Sequence, residues 1–281
     1  MSIAGGYAVP LAQSVFREQP LETVLLASAL GILTVVCFIE VRHVQLRHRR
    51  PRSPMSAALA ISQVKGSGSD LQRRPCYVLA VLGSGGHTKE MLLMMEHGFP
   101  NWTGMHRRYL TTSGDQISLK HLEAFESKVK QDCKVAGSYD TFVVARARRV
   151  HQPLYSVPWS ALRSILDIFP VLLSTPKTGT GDRLATYPDV IVTNGPATGF
   201  FVALLAHLLK IFYLVPEDKM QVLFIESWAR IKTLSLTGKL FHFTGIPDLM
   251  LVQHDDVARK YNLPNAGWLV LPASMRNKVV Q

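Results

Sequence analysis

Two side chains in this sequence could move a proton beside a bound anion: His87 and Glu226. His87 belongs to YVLAVLGSGGHTKE, Tyr77 to Glu90. There an apolar run passes directly into Gly83, Ser84, Gly85, Gly86, His87 and Thr88, and a helix-like run, Glu90 to Met95, follows. Glycine reaches backbone conformations closed to other residues and lets the chain approach a ligand closely. Free N–H groups and the helix dipole at such a turn attract anions, phosphates above all. His87, at the mouth of the helix, could donate to a phosphate or act in proton transfer. The plain alternative is a tight turn in which His87 only caps the helix. Gly86→Val is expected to abolish use of the bound ligand, because a β-branched side chain there blocks both the backbone geometry and the close approach.

Other phosphate motifs do not fit. A dinucleotide fingerprint needs G-x-G-x-x-G and an acid about 20 residues on. Here Thr88 occupies the third glycine position, and the next strand candidate ends in Thr111, Thr112 and Ser113. The phosphate loop G-x-x-x-x-G-K-[ST] is absent, as are zinc-ligand spacings and a D-x-D motif. No metal site and no cofactor are therefore expected.

Two further stretches could join the first. Thr193-Asn194-Gly195-Pro196-Ala197-Thr198-Gly199 is a second glycine-bearing turn opening a helix. Ile225-Glu226-Ser227-Trp228-Ala229-Arg230 sets a carboxylate at a strand tip, with an arginine four residues later. Glu226 could be a base or accept a sugar hydroxyl, and Arg230 could hold a phosphate bidentately. Alternatively the two form an ordinary i,i+4 surface pair.

The elements that must position these loops alternate. Strands are expected at Tyr77–Leu82, Arg107–Thr112, Thr141–Ala145, Val190–Thr193, Val222–Ile225 and Leu249–Val252. Helices are expected at His87–Glu96, Asp115–Lys130, Pro158–Leu173, Thr198–Leu209, Trp228–Phe241 and Asp255–Tyr261. Short apolar runs separated by helices imply βαβ units and a mostly parallel α/β sheet. Ligands of such sheets bind at the carboxyl ends of the strands, where all three loops fall. Leu204 to Val215 reads as a buried helix plus strand; a surface dipping into a bilayer is the competing reading.

The chain has 281 residues and a formal net charge of +11, unevenly placed. Thr23 to Ile39 is 17 residues without a charge, and Arg42, Arg47, Arg49, Arg50 and Arg52 follow. That length is near the minimum for crossing a bilayer. The basic cluster after it predicts a short non-cytosolic N-terminus (1–20), a transmembrane anchor (21–40) and a cytosolic remainder. A signal peptide would show the reverse charge order. This orientation would keep the sequon Asn101-Trp102-Thr103 unglycosylated. A basic flexible linker (41–75), one α/β domain (76–272) and a tail (273–281) complete the division. Three cysteines, Cys37, Cys76 and Cys133, without metal spacing suit reduced thiols facing the cytosol.

Taken together, LGSGGHTKEML, TNGPATGF and IESWARIKTLSLTGKLF resemble the membrane-anchor subunits of the UDP-N-acetylglucosamine transferase that makes the dolichol-linked chitobiose core. The resemblance covers roughly Tyr77 to Pro272 and the single anchor. The GGH turn and the Glu-containing motif also resemble the acceptor half of the bacterial transferase that makes lipid II. The resemblance implies the Rossmann-like, acceptor-side half of a GT-B glycosyltransferase, completed by a soluble catalytic subunit that binds UDP-GlcNAc, as a heterodimer or larger assembly. It implies β1,4 addition of the second GlcNAc to GlcNAc-diphosphodolichol on the cytosolic face of the endoplasmic reticulum, with the nuclear envelope as a further location. No nucleic-acid partner is implied. His87 and then Glu226 are the candidate bases. Gly83, Ser84, Gly85, Gly86, Thr88, Asn194, Gly195 and Arg230 are the candidate diphosphate ligands. The apolar run Trp268, Leu269, Val270 and Leu271 is the candidate partner contact, or else a last core strand. A purely structural anchor with no site residues of its own is the alternative function.

Overall fold

The computed structural model describes residues 21–49, 76–98, 102, 104–146, 157–176, 185–195 and 197–271. Residues 1–20, most of the expected linker, Asn101, Pro196 and the tail from 273 lie outside the described residues. The chain divides into two compact units, Met1–His48 and Arg49–Gln281.

The first unit is helix α1, Leu21–His48, of 28 residues. At a rise of about 1.5 Å per residue it exceeds the roughly 30 Å of a hydrocarbon core. It is long and apolar enough to cross a membrane. The hydroxyl of Thr34 donates to the Leu30 carbonyl, so this polar group is satisfied within the helix. The helix continues through Val41 to His48, where the sequence suggested linker. Arg42 Nη1 donates to Gln45 Oε1 at 2.8 Å, a helical side-chain pair that supports the extra turns.

The second unit holds one six-stranded sheet, parallel throughout, in the order β3-β2-β1-β4-β5-β6. The strands are β1 (Cys76–Val81), β2 (Met105–Thr112), β3 (Ser138–Val144), β4 (Val190–Thr193), β5 (Gln221–Ile225) and β6 (Leu249–Leu251). The helices are α2 (Gly86–Gly98), α3 (Gln116–Asp132), α4 (Val157–Leu173), α5 (Ala197–Ile211), α6 (Leu236–Thr244) and α7 (Asp255–Tyr261). This is the doubly wound order whose chain reverses direction between β1 and β4. Alternate residues of β1 serve the two faces. Val78, Ala80 and Leu82 pack with Met91, Met95, Leu122 and Phe125 of α2 and α3. Leu79 and Val81 pack with Ile168, Val202, Ala206 and Phe241 of α4, α5 and α6. The expected parallel α/β sheet with flanking helices is therefore what the chain forms.

Two expected elements differ. The helix expected over Trp228–Phe241 is confined to Leu236–Thr244; residues 228–235 form a loop closed by the Ser235 cap, whose hydroxyl accepts from Gly238 N. The strand expected at the end of Leu204–Val215 does not form; the next strand after α5 is β5, from Gln221. Phe212, Tyr213 and Leu214 turn outward, with Tyr213 at φ 57°.

β2 holds two fully buried arginines that hydrophobic patterning does not reveal. Arg107 meets Glu126 of α3 bidentately, Nε–Oε1 and Nη2–Oε2 both at 2.8 Å, and Tyr109 donates to the same carboxylate at 2.6 Å. Arg108 reaches the opposite face. There it pairs with Asp140 and donates to the Val171 and Ser174 carbonyls at the end of α4. Removing one partner of a buried pair strands the other charge, which costs about 3–5 kcal/mol. Arg107→Ala should destabilise the domain by about that amount, read by chemical denaturation; a change under about 1 kcal/mol would show that Glu126 finds other compensation.

Candidate functional site

The three loops meet at the carboxyl edge of three adjacent strands, β1, β4 and β5. The β1 and β4 loops flank the reversal point of the sheet, the usual ligand crevice of this topology.

The glycine turn is held from beneath. The Gly83 carbonyl accepts from the hydroxyls of Thr88 and Ser118, and Ser118 Oγ also lies 2.7 Å from Asp115 Oδ2. Thr88 is fully buried, so its hydroxyl serves the turn rather than a ligand. Gly85 is the residue in the left-handed region, at φ 58°. A Cβ at Gly86 would meet nothing within 4 Å, so the turn does not require glycine there. The geometric demand predicted for Gly86 falls on Gly85.

His87 stands in the first turn of α2 with its side chain 42% exposed. Its main-chain carbonyl accepts from Asn194 Nδ2 at 2.8 Å, which ties the β1 loop to the β4 loop. Asn194 is fully buried, and its Oδ1 has no hydrogen-bond partner among the described residues. Gly195, at φ 136°, brings its backbone against the imidazole: a Cβ there would sit 3.6 Å from His87 Cε1. Gly199 allows α5 to approach β4, because a Cβ would fall 2.1 Å from Thr193 Oγ1.

Glu226 is 1% exposed. Its Oε1 accepts from Ser227 N at 3.1 Å, and its Oε2 accepts from Ser235 N at 3.0 Å and Ser235 Oγ at 3.1 Å. Burial pushes its carboxyl above the ordinary range, and the hydrogen bonds from Ser235 and Ser227 and the charge of Arg230 offset this only in part. The carboxylate lies against the first turn of α6 because residue 238 is glycine; a Cβ there would stand 2.0 Å from Oε2. Glu226 is thus the anchor of the 226–235 loop, and the surface-pair reading with Arg230 does not hold. Arg230 is exposed on that loop, where its N–H donates to Ser227 O at 2.9 Å.

The sequence reading missed Glu90 and Gln253. The Glu90 carboxylate accepts from Ser227 Oγ at 2.9 Å, from Trp228 N, and from Gln253 Nε2 at 3.2 Å. Its Oε2 lies 3.8 Å from His87 Nδ1. One carboxylate therefore joins the glycine-turn helix to the loops after β5 and β6. Glu90 sits in the quoted motif, three residues past His87, but nothing local distinguishes it from an exposed helix residue. Gln253 reads as an ordinary loop residue. It also donates to Glu226 O at 3.0 Å, and its Oε1 accepts from Leu269 N at 3.0 Å.

The segment Trp268–Leu271 is neither a strand nor an open apolar run. Leu269 and Val270 pack on the α2–α3 core, and Leu271 N donates to Trp268 O. The Trp268 ring lies 6.1 Å from Trp228 and 6.2 Å from His254, beside the β5 and β6 loops. Among the described residues no group of three or more His, Cys, Asp or Glu could hold a metal ion.

Glu90→Ala would leave Ser227 Oγ, Trp228 N and Gln253 Nε2 without their shared acceptor and free the loop to drift. Misplacing reacting groups by about 1 Å costs about 10²-fold. We expect a loss of that size in turnover of whatever substrate binds here, with the domain still folded and with partial rescue by Glu90→Asp. Full activity in Glu90→Ala would show that the loop holds itself.

Comparison with known proteins places these features in context. A family model described as "Oligosaccharide biosynthesis protein Alg14 like" matches residues 78–269. The UDP-N-acetylglucosamine transferase subunit ALG14 of Cryptococcus neoformans is 32% identical over 201 residues, covering 69% of this chain and 81% of that protein. The corresponding Rattus norvegicus subunit is 30% identical over 192 residues, covering 67% and 80%. Among solved structures, Acinetobacter baumannii MurG aligns with a TM-score of 0.40 and 14% identity, over 69% of this chain and 44% of that one.

Proposed function

Because this chain belongs to the Alg14-like family of oligosaccharide biosynthesis proteins, we propose that it is the membrane-anchored, acceptor-binding half of a two-protein UDP-GlcNAc transferase. Relatives named as subunits of such a transferase cover most of the domain. The observation that carries the acceptor role is the joining of the β1 and β4 loops, through Asn194 and the His87 carbonyl, over a left-handed Gly85 at the sheet's reversal point. A diphosphate fits backbone N–H groups at the start of α2, where the helix dipole favours negative charge. The acceptor is a GlcNAc-diphospholipid, dolichol-linked, and the transfer adds a second GlcNAc in β1,4 linkage. Helix α1 holds the chain in the endoplasmic reticulum membrane with the domain on the cytosolic side. His87 faces the acceptor hydroxyl as base. The buried Glu226 holds the loop that carries Arg230 toward the diphosphate. The soluble partner brings UDP-GlcNAc.

Binding of a short-chain GlcNAc-diphospholipid to the purified chain tests this reading. Saturable binding, competed by a sugar-free diphospholipid, is expected for the wild type. Gly85→Val should abolish it, because a β-branched residue resists the left-handed region. Equal binding by a folded Gly85→Val chain would move the diphosphate away from the glycine turn.

A further inference from the structure

Gln253 lies just past β6 and is 2% exposed. Its side-chain amide is engaged at both ends. Nε2 donates to Glu90 Oε1 on α2 at 3.2 Å and to the Glu226 carbonyl, just past β5, at 3.0 Å. Oε1 accepts from Leu269 N at 3.0 Å. One buried planar group therefore joins three stretches of chain that are remote in sequence. A glutamine amide has a donor end and an acceptor end, and turning it over exchanges them. Turned over, Gln253 would set its oxygen against the Glu90 carboxylate and the Glu226 carbonyl, both acceptors, and its NH2 against the Leu269 N–H. The three partners admit a single orientation.

Leu269 is the partner that lies outside the acceptor loops. It belongs to the segment 264–271, which runs along the end of β6: Val252 N donates to Pro264 O, and Ala266 N to Val252 O. The Leu269 carbonyl lies 3.4 Å from His97 Nδ1 of α2, and Leu269 and Val270 pack on the α2–α3 core. Held by β6 and by α2, the segment presents a fixed N–H to Gln253. On the other side of the amide stands the site. The Glu90 carboxylate, 12% exposed, also accepts from Ser227 Oγ and Trp228 N, and its Oε2 lies 3.8 Å from His87 Nδ1. Hydrogen bonds to an ionised acceptor are the strong ones, so losing the Gln253 donor loosens Glu90.

We propose that Gln253 is a positioning residue through which the C-terminal segment 264–271 sets the acceptor site. It touches no reacting atom. Anchored by Leu269, it fixes Glu90, and through Glu90 it fixes the start of the 226–235 loop and the surroundings of His87. The proposal rests on reading this edge as the site of a GlcNAc-diphospholipid acceptor.

Three variants of the full chain test it. Gln253→Met keeps the length of the side chain and removes both ends of the amide. Leu269→Pro removes the N–H, and Leu269→Ala keeps it while shortening the side chain. The readouts are binding of a short-chain GlcNAc-diphospholipid and hydrogen exchange of the 226–235 backbone. Gln253→Met should weaken binding by about tenfold or more, the loss that goes with one hydrogen bond to a charged group. It should speed exchange at 226–235 and leave the strands unchanged. Leu269→Pro should act in the same direction, and Leu269→Ala should not speed exchange there. Gln253→Met combined with Leu269→Pro should add little to Gln253→Met alone, because both cut one link. With the partner present, the loss should appear as a raised KM for the acceptor at unchanged KM for UDP-GlcNAc; a merely less stable domain would lower kcat and leave both KM values. Wild-type binding and exchange in Gln253→Met, or additive effects in the double variant, overturn the proposal. Where Gln253→Met does not fold, Leu269→Pro against Leu269→Ala decides in the same way. No acceptor binding by the wild type, with faster exchange at 226–235 in Gln253→Met, would keep the link to the loop and remove the acceptor reading.

Discussion

His87→Ala should lower transfer of GlcNAc to the lipid diphosphate by about 10²–10⁴-fold, the usual contribution of a positioned acid or base, while the complex with the partner stays intact. Three observations set the size of this effect. The imidazole is the exposed titratable side chain beside the Gly85 turn, and its Nδ1 has no hydrogen bond among the described residues. The competing group, Glu226, is buried and both of its oxygens are engaged by Ser227 and Ser235. Glu90 Oε2 stands 3.8 Å from the ring Nδ1, so a carboxylate borders the imidazole on its own helix. The readout is steady-state turnover in reconstituted membranes, with co-purification of the partner as the control. A rise in KM for the acceptor with kcat unchanged would make His87 a phosphate ligand. Unchanged kcat and KM would leave the chain a scaffold.

The parts of the site that were legible in the sequence are those built from local backbone chemistry. Gly83–His87 follows an apolar run and opens a helix, so its strand–turn–helix geometry was readable without a fold. The same holds for Thr193–Gly199. The 226–235 loop was misread as helix because ARIKTLSL has helical spacing of apolar residues; what overrides it is the buried Glu226 carboxylate, which takes Ser235 N and makes that serine the true start of α6. Glu90 and Gln253 were invisible because their partners lie 137 and 163 residues apart along the chain. Arg107 and Arg108 broke the apolar pattern of β2 for the same reason: Glu126 and Asp140, which neutralise them, come from later elements. Gly238 gave no signal either, since the demand for glycine comes from a carboxylate twelve residues earlier in sequence.

The purified chain should neither transfer sugar nor bind UDP-GlcNAc appreciably, and adding the soluble partner should restore both. The described residues form one sheet, and its carboxyl edge is occupied by the loops assigned here to the acceptor. A transferase site needs a second surface to hold the nucleotide and to stabilise the departing diphosphate, and of the two exposed basic groups of the β5 loop, Arg230 and Lys232, the first is already assigned to the acceptor's own phosphates. Partial binding energy cannot substitute, because catalysis requires both reactants fixed in one geometry. The partner contact is proposed to include Trp268, whose ring lies with Trp228 and His254 beside the β5 and β6 loops. Deleting the C-terminal segment would also remove the Leu269–Gln253 bond and disturb the site directly. The cleaner variant is Trp268→Ala, since aromatic anchors dominate interfaces and their truncation costs about 2 kcal/mol or more. It should weaken association with the partner by about 30-fold or more while acceptor binding by the isolated chain is kept. Transfer by the chain alone, measured with radiolabelled UDP-GlcNAc and lipid acceptor in partner-free membranes, would overturn the two-protein reading.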